Sequence, residues 1–555
     1  MNSDQNTEVC PITIEIENGR APIHMNVSAG TTLLQCIRGL SKAPALDAAC
    51  NGSGRCGKCK IRASGCFSPL THKELKFLSK AEIDHGLRLA CQTTVHGAAV
   101  IYLNADTPME IVTEGKLDSA REAQGNETAK PVYGLAVDIG TTTVVLYLCD
   151  LTNGKLCQTQ GFPNPQRLYG ADVISRIHAV CRNPELLSVQ RNRLLREIAV
   201  HLDMLCAKLQ ISCRDLTRIV LTGNTVMLHL MMEISPCSMS AYPFRPASLF
   251  GMFYPAAALE LPTLSKYAEI YIPPCFSAFA GADIATGLLF AGIPDALDKK
   301  QTVLYLDLGT NCEIALGYQG KLFLCSTAAG PAFEGGGISC GMPSVAGAVD
   351  HVITDGTAIR CTTIGGQPPI GFCGSGLVDA VAVLLKTDML TKDGRLKSTE
   401  EVRGPFCSML RSENGQNAFA PFSAQSCSIT AKDIRELQTA KAAVRAAVDT
   451  LLNICKVSPG DLEVVFLAGG FGSRMNPASA ARIGLLPTEC FSKLRILDNA
   501  AGAGAVEILL QPEKISLADK LQKNADTVEL SNTDFFAHAF LSTMNFPSEI
   551  EASFE

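Results

Sequence analysis

Four cysteines have a spacing that suits a metal-sulfur centre. Cys50, Cys56 and Cys59 follow one another as C-x5-C-x2-C in a glycine-rich loop, and Cys91 lies in the later segment LACQTT. A 2Fe-2S cluster needs four thiolates that converge from two directions, which a tight loop and one remote cysteine can supply. Glycines in the loop let the backbone wrap around a cluster and point its N–H groups at the sulfurs. The spacing therefore predicts a 2Fe-2S cluster on these four cysteines.

The alternative at this loop is a zinc site, because Cys56 and Cys59 have the C-x2-C spacing of zinc ligands. The chain has no second C-x2-C pair, and a zinc site would not explain the β-rich context. The loop is one residue longer than the plant-type C-x4-C-x2-C spacing and resembles the adrenodoxin-like β-grasp ferredoxins. The other cysteines lie mostly in apolar runs and are interpreted as small buried hydrophobes, among them Cys149, Cys206, Cys312 and Cys373.

Two segments repeat a second candidate motif. LAVDIGTTTVVLYL (135–148) and LYLDLGTNCEIALG (304–317) each run from apolar residues through Asp-x-Gly-Thr into another apolar run. Each is predicted to form a β-hairpin with a polar tip, and two copies predict two lobes of related fold. A phosphate chain requires close N–H groups and hydroxyls, and a carboxylate that holds Mg2+ or its waters. The candidate residues are Asp138, Gly140, Thr141, Thr142 and Thr143 in the first copy and Asp307, Gly309, Thr310 and Asn311 in the second.

A third segment completes the predicted nucleotide site. VVFLAGGFGSRMN (464–476) is predicted to be a strand that ends in glycines, where adenosine can lie against bare backbone. Its candidate residues are Gly469, Gly470, Phe471 and Gly472. One Asp-x-Gly-Thr is weak evidence, because a hairpin tip can carry these residues for the turn alone. All three elements in this order predict ATP binding, with Asp138 and Asp307 as the carboxylates that hold Mg2+ or its waters.

The chain divides into regions that differ in composition and hydrophobic pattern. Residues 1–104 are predicted to be a ferredoxin-like domain whose first hairpin turns at Asn18-Gly19, and 105–130 a flexible linker, since that stretch is polar. Buried strand runs then alternate with helical patterns, which favours an α/β architecture. We predict a first lobe at 131–298, within which 131–215 is open as a separate middle domain, and a second lobe at 299–555.

Composition narrows the functional class. The chain has 555 residues, 23 of them cysteine, and a formal net charge of −6. That charge predicts neither nucleic-acid nor membrane binding. The polar first residues and the lack of a long apolar run predict a cytoplasmic protein rather than an extracellular disulfide scaffold.

The ordered nucleotide motifs resemble the actin, sugar-kinase and heat-shock ATPase superfamily, in which two lobes close over ATP. With the ferredoxin-like domain in front, nearly the whole chain resembles the reductive activators of corrinoid-dependent enzymes. Further segments carry this resemblance, namely LTGNTVMLHLM (221–231), GPAFEGGGISCGMPSVAGAV (330–349), GFCGSGLVDAVA (371–382) and the tail MNFP (544–547). Two Ala/Gly-rich segments, 278–292 and 499–510, fall where the superfamily places its connecting helices; close-packed core helices are the other interpretation.

The resemblance implies a multidomain fold, in which an N-terminal β-grasp 2Fe-2S ferredoxin-like domain (α+β) precedes an α/β, actin/sugar-kinase-like, two-lobed ATPase. It also implies an ATP-dependent activator with Mg2+, which returns one low-potential electron to the Co(II) corrinoid protein of an anaerobic methyltransferase system such as O-demethylation. Its partners would be that corrinoid protein and a low-potential electron donor, with a homodimer left open.

Two other functions stay open. An activator of radical dehydratases or aryl-CoA reductases would bridge a 4Fe-4S cluster between subunits, and the N-terminal ferredoxin argues against it. A non-enzymatic module that senses redox state and ATP is the second alternative. A small-molecule kinase would leave the electron-transfer domain unexplained.

Overall fold

The computed structural model describes residues 9–16, 21–40, 46, 48, 50–103, 131–261, 264–413, 415–422 and 427–548. The predicted Asn18-Gly19 turn and the predicted linker at 105–130 lie outside these residues. Within the described ranges, no helix combines the length and the apolar character needed to cross a membrane.

The N-terminal region is a five-stranded β-grasp sheet. Its strands are β1 (Val9–Ile16), β2 (Ile23–Ser28), β3 (Lys60–Phe67), β4 (Leu87–Leu89) and β5 (Val95–Leu103), and its helices α1 (Leu33–Arg38), α2 (His72–Phe77) and α3 (Lys80–Asp84). The order is β2-β1-β5-β3-β4, with β1 parallel to β5. The predicted alternation in β1 is confirmed, since Ile12, Ile14 and Ile16 are buried in the core. Each helix begins at a Thr or Ser that closes a capping box, which fixes its first turn.

The next region is built on a six-stranded sheet, the first sheet. Its strands are β6 (Tyr133–Ile139), β7 (Thr143–Asp150), β8 (Lys155–Pro163), β9 (Leu216–Gly223), β10 (Phe250–Pro255) and β11 (Glu269–Pro274). The helices here are α4 (Val173–Arg182), α5 (Leu186–Leu209), α6 (Thr225–Met231), α7 (Ala282–Phe290) and α8 (Ile293–Asp298), with a 3-10 helix at Pro165–Tyr169. Because β9 pairs in parallel with β6, strands from both sides of residue 215 share one sheet. This pairing argues against a separate domain at 131–215.

The remaining strands are β12 (Val303–Leu308), β13 (Cys312–Tyr318), β14 (Lys321–Thr327), β15 (Ala348–Thr354), β16 (Ile359–Thr363), β17 (Gly371–Phe372), β18 (Leu410–Glu413), β19 (Gln416–Phe419), β20 (Ile429–Thr430), β21 (Val464–Ala468), β22 (Leu494–Ile496) and β23 (Ala525–Thr527). The helices are α9 (Gly374–Lys386), α10 (Ala431–Cys455), α11 (Pro477–Ile483), α12 (Ala500–Leu510), α13 (Lys514–Lys523) and α14 (Asp534–Ser542). The second six-stranded sheet has the order β22-β21-β12-β13-β14-β23.

The two six-stranded sheets share a topology, as the sequence repeat predicted. In the first, the antiparallel strands β6-β7-β8 are extended by β9 and β11, which run parallel to β6. In the second, β12-β13-β14 are extended in the same way by β21 and β22. Both predicted hairpins, β6-β7 and β12-β13, are confirmed and occupy equivalent places in the two sheets.

Helices α7 and α12, from the two Ala/Gly-rich segments, cross each other between the sheets. Their apolar residues join strand residues of both sheets in one core cluster. A Cβ on Gly504 of α12 would lie 1.9 Å from the backbone oxygen of Thr286 in α7, so the backbones approach as closely as glycine permits. The segments are thus close-packed core helices that also connect the two sheets, and both interpretations hold.

The cysteines outside the candidate cluster set are largely the buried residues that the sequence predicted. Cys149, Cys312 and Cys373 are at most 1% exposed. One pair differs, since Cys181 at the end of α4 forms a disulfide with Cys237, 56 residues further along the chain. Sequence spacing gave no sign of this pair, because it depends on how α4 packs against the turn at Cys237.

Candidate functional site

The four candidate cluster cysteines lie together as two hydrogen-bonded thiol pairs. The thiols of Cys50 and Cys56 interact within the loop before β3, and those of Cys59 and Cys91 interact between the start of β3 and the end of β4. Cys59 and Cys91 are 2% and 9% exposed, whereas Cys50 and Cys56 are half-buried. The loop therefore brings one pair to the surface and the sheet holds the other pair beneath it.

Backbone N–H groups of the loop point at the sulfurs. Burial alone would raise the pKa of Cys50, but hydrogen bonds from Ser53 and from the N–H groups of Arg55 and Cys56 lower that pKa to about 7. The hydrogen bond between the thiols of Cys59 and Cys91 lowers the pKa of Cys91 to about 6 and raises the pKa of Cys59. These hydrogen bonds favour the thiolate, the form that binds iron, at Cys50 and Cys91, whereas burial raises the pKa of Cys56.

Two glycines let helix α2 close over this loop. Gly54 and Gly57 have φ of +73° and +66°, in the left-handed region. A Cβ on Gly54 would lie 2.7 Å from the Lys73 side chain, and one on Gly57 would lie 2.6 Å from the Phe77 ring. Both positions require glycine for the fold of the loop and for its packing.

The donor set fits a 2Fe-2S cluster, because each iron of such a cluster takes two protein ligands and the thiols form two pairs. Nowhere in the described ranges do three or more His, Cys, Asp or Glu side chains gather in the arrangement of a single metal ion. The cysteines are set out as pairs rather than around one point.

The tip of the first hairpin, β6-β7, is tightly folded. A Cβ on Gly140 would lie 2.6 Å from the backbone oxygen of Thr143, so glycine is required there. The hydroxyl oxygen of Thr141 accepts a hydrogen bond of 3.0 Å from the Asn224 amide. Below the tip, Asp138 accepts a hydrogen bond of 3.0 Å from the Asn499 amide at the start of α12.

The tip of the second hairpin, β12-β13, is held by a carboxylate. The N–H of Thr310 donates to Glu334 at 3.0 Å, and the N–H of Gly309 donates to the backbone oxygen of Asn311 at 3.2 Å. Thr142 of the first tip also hydrogen-bonds Glu334. The structure thus brings the two predicted phosphate-binding tips to one side chain.

The glycines after β21 lie beside the second hairpin. Gly469 has φ of +92°, and a Cβ there would lie 2.8 Å from a carboxylate oxygen of Asp307. Gly470 has open space on its Cβ side, where a ligand has room. Phe471 is 7% exposed and stacks on Phe333 at 4.7 Å between ring centroids. Its ring packs into the core, so only its backbone is left to face a nucleotide.

Five half-buried carboxylates interact electrostatically around these tips: Asp138, Asp283, Asp307, Glu313 and Glu334. Burial raises the pKa of Asp138 to about 6, and burial with the charges of Asp138 and Glu334 raises the pKa of Asp307 to about 7. Burial, Asp307 and Asp138 raise the pKa of Asp283 to about 8. Crowded acids of this kind are relieved by a divalent cation.

Sequence reasoning missed four of the residues that build this site: Asp283, Glu313, Glu334 and Asn499. Asp283 and Asn499 lie at the starts of α7 and α12, inside the two Ala/Gly-rich segments, where the small residues are the dominant sequence signal. Glu334 lies in GPAFEGGG, where the glycines that follow it were the available signal of a constrained backbone. Their role depends on contacts between distant segments, which motif spacing does not reveal.

Comparison with known families covers most of the chain. Residues 16–96 match the 2Fe-2S iron-sulfur cluster binding domain, residues 133–296 the RACo middle region, and residues 301–555 the C-terminal domain of RACo, the ASKHA domain.

Two individual relatives and one solved structure support the same family assignment. Corrinoid activation enzyme RamQ of Eubacterium limosum is 35% identical over 438 residues, 77% of this chain and 72% of the relative. A Co(II) methylated amine-specific corrinoid protein reductase of Methanosarcina barkeri is 24% identical over 75% of this chain and 77% of its own length. A solved reductive activator for corrinoid, iron-sulfur protein has a TM-score of 0.67 and 28% identity, and the match covers 97% of this chain and 98% of that one. The chain therefore belongs to the family of reductive activators of corrinoid-dependent enzymes.

Proposed function

We propose that this chain is an ATP-dependent reductive activator that passes one low-potential electron to an inactive Co(II) corrinoid protein and so regenerates Co(I) for methyl transfer. The observation that carries the proposal is the presence, in one chain, of two thiol pairs suited to a 2Fe-2S cluster and two equivalent hairpins that meet at Glu334. The first is a site for one electron and the second a site for a nucleoside triphosphate.

Each region has a distinct proposed task. Residues 1–104 carry the electron, 105–130 link the domains, and 131–298 and 299–555 are the two ATPase lobes. Cys50, Cys56, Cys59 and Cys91 are the cluster ligands. Asp138 and Asp307 organise Mg2+ and the attacking water. The phosphates are bound by Gly140, Thr141, Thr142, Thr143, Gly309, Thr310 and Asn311, and adenosine by the backbone at 469–472.

The need for ATP follows from the energetics. A plant-type 2Fe-2S cluster, when bound, supplies one electron at about −400 mV. Each further gap of about 59 mV in a one-electron transfer lowers the equilibrium constant tenfold. Reduction of a more negative cobalt is therefore uphill, and a nucleotide that changes the affinity for the Co(II) partner or the cobalt coordination can offset the difference.

The decisive experiment supplies the reconstituted full-length chain with a low-potential reductant and a Co(II) corrinoid protein. Co(I) is followed by its absorption with and without ATP. We expect Co(I) only with ATP, and its loss in Cys91→Ser, whereas Cys66→Ser, an exposed cysteine of the same domain, behaves as wild type. If no corrinoid methyltransferase partner gives ATP-dependent Co(I), the proposal is wrong.

A further inference from the structure

A short segment of the first ATPase region lies directly between the two proposed sites. This bridge segment, residues 164–170, contains the 3-10 helix Pro165–Tyr169 and follows β8. At its start it contacts the first phosphate hairpin, and at its end it contacts the ferredoxin-like domain.

The start of the bridge segment donates hydrogen bonds to backbone carbonyl groups at the tip of the first hairpin. The Asn164 amide donates to the backbone oxygen of Gly140 at 2.8 Å, and the Asn164 N–H donates to that of Thr142 at 2.9 Å. Arg176 binds the tip and the end of the segment together, since it donates to the backbone oxygens of both Thr141 and Gly170. With the carbonyls held, the N–H groups of the tip are left for phosphate.

The end of the bridge segment is docked on the ferredoxin-like domain by Arg38. The Arg38 guanidinium donates to the backbone oxygen of Leu168 at 2.9 Å and to the side chain of Asn51 at 2.7 Å. Asn51 is the neighbour of Cys50 in the cluster loop. One side chain therefore joins the cluster loop to the segment that holds the phosphate hairpin.

A second arginine completes this interface from the other side. Arg193 of α5 donates to the backbone oxygens of Arg38 and Leu40. The guanidinium carbons of Arg38 and Arg193 lie 5.1 Å and 5.8 Å from the centroid of the Tyr169 ring, within cation-π distance. Leu168 and Tyr169 are buried in the same apolar cluster as the ferredoxin-like core.

Another residue of the bridge segment acts on the nucleotide site through its charge. The positive charge of Arg167 lowers the pKa of Glu334, which burial otherwise raises, and Glu334 is the residue on which both tips meet. The segment thus contacts the nucleotide site through backbone and charge, and the cluster loop through Arg38.

We propose that the bridge segment couples nucleotide binding to docking of the ferredoxin-like domain, with Arg38 as the positioning residue. The inference rests on the proposed function, because it needs ATP at the paired hairpins. Docking holds the tip in the conformation that presents its N–H groups, so the docked chain binds nucleotide more tightly. By linkage, nucleotide strengthens docking by the same factor.

The test uses the full-length chain with its cluster reconstituted. Affinity for a non-hydrolysable ATP analogue is measured by titration, and the electron paramagnetic resonance spectrum of the reduced cluster is recorded with and without the analogue. We expect the analogue to change the wild-type spectrum. Arg38→Ala and Arg193→Ala should bind the analogue at least about fivefold more weakly and lose the spectral response.

Matched variants separate coupling from damage to the cluster. Arg62→Ala removes an exposed arginine of the same domain that stacks on Tyr102, and it should behave as wild type. Arg193 lies outside the ferredoxin-like domain, and an unchanged cluster absorption spectrum in Arg193→Ala would show that the cluster loop is intact. Arg38→Lys keeps the charge but not the forked donor, and should fall between wild type and Arg38→Ala.

The outcomes distinguish the two proposals. If the wild type binds the analogue but its spectrum does not respond, or if both alanine variants match the wild type, the coupling is wrong and the proposed ATPase stands. If the wild type binds no nucleotide, both are overturned.

Discussion

The two proposed phosphate-binding hairpins, β6-β7 and β12-β13, share one topology but have different neighbours. The first has its carboxylate held by Asn499 and its tip carbonyls held by Asn164 and Arg176. The second has its tip N–H held by Glu334 and its carboxylate against Gly469. Two hairpins with the same strand arrangement thus differ in the residues that contact their tips. The first hairpin is connected to the redox domain and the second to the proposed adenosine site.

The most severe test of this comparison removes each hairpin carboxylate in turn. Asp138→Asn and Asp307→Asn should each lower ATP-dependent Co(I) formation by about a hundredfold or more, since each removes a charge that we propose positions Mg2+ and water. The double variant should be little worse than either single one, because the two act as a unit. Cluster absorption should be unchanged in all three. A single variant with more than a tenth of wild-type activity would show that the hairpins are not equivalent partners.

A second test concerns Asp283 of α7, whose carboxylate interacts electrostatically with Asp307 and Asp138 of the two hairpins. The pKa of Asp283 is raised to about 8, so between about pH 4 and that value the folded chain binds more protons than the unfolded one. Stability from this residue is therefore lost as the pH rises. Asp283→Asn should melt above wild type in the nucleotide-free chain, and the gap should widen by roughly 2–6 °C from pH 5 to pH 8.

The control for this measurement is Asp295→Asn, an exposed residue of α8. Its melting difference from wild type should not depend on pH. A gap for Asp283→Asn that narrows toward pH 8 would contradict the assignment of crowded negative charge between the hairpins.

The smallest expected effect concerns the first hairpin alone. Asn499 donates to Asp138 and favours its charged form, so Asn499→Ala should raise the pKa of Asp138 further. The acid limb of the ATPase pH profile should move upward by about one unit. Asn476→Ala removes a comparable helix cap, from α11, without touching Asp138, and should leave the profile in place. An unmoved limb in Asn499→Ala would assign that limb to another group.

Much of the fold could be predicted because local pattern and packing agree. The alternating isoleucines of β1 and the two Asp-x-Gly-Thr hairpins lie where their periodicity placed them. The cysteine loop could be located for a similar reason, since its three candidate ligands are close in sequence and its left-handed backbone requires glycines.

The rest depends on contacts that no local pattern encodes. Asn499 and Asp138 are 361 residues apart, and Arg38 and Leu168 are 130 apart. Glu334 becomes a shared partner of both tips only when the two sheets are brought together. Phe471 lies in the loop predicted to receive adenosine, but its ring is buried against Phe333, a contact between distant segments.

The crossing of α7 and α12 limits how this duplicated fold can diverge. At Gly504 even one methyl group would meet the backbone of Thr286 in the facing helix, and no change of rotamer can relieve a clash with backbone. A larger residue at Gly504 would therefore have to push the two helices apart, and with them the two sheets that the helices connect.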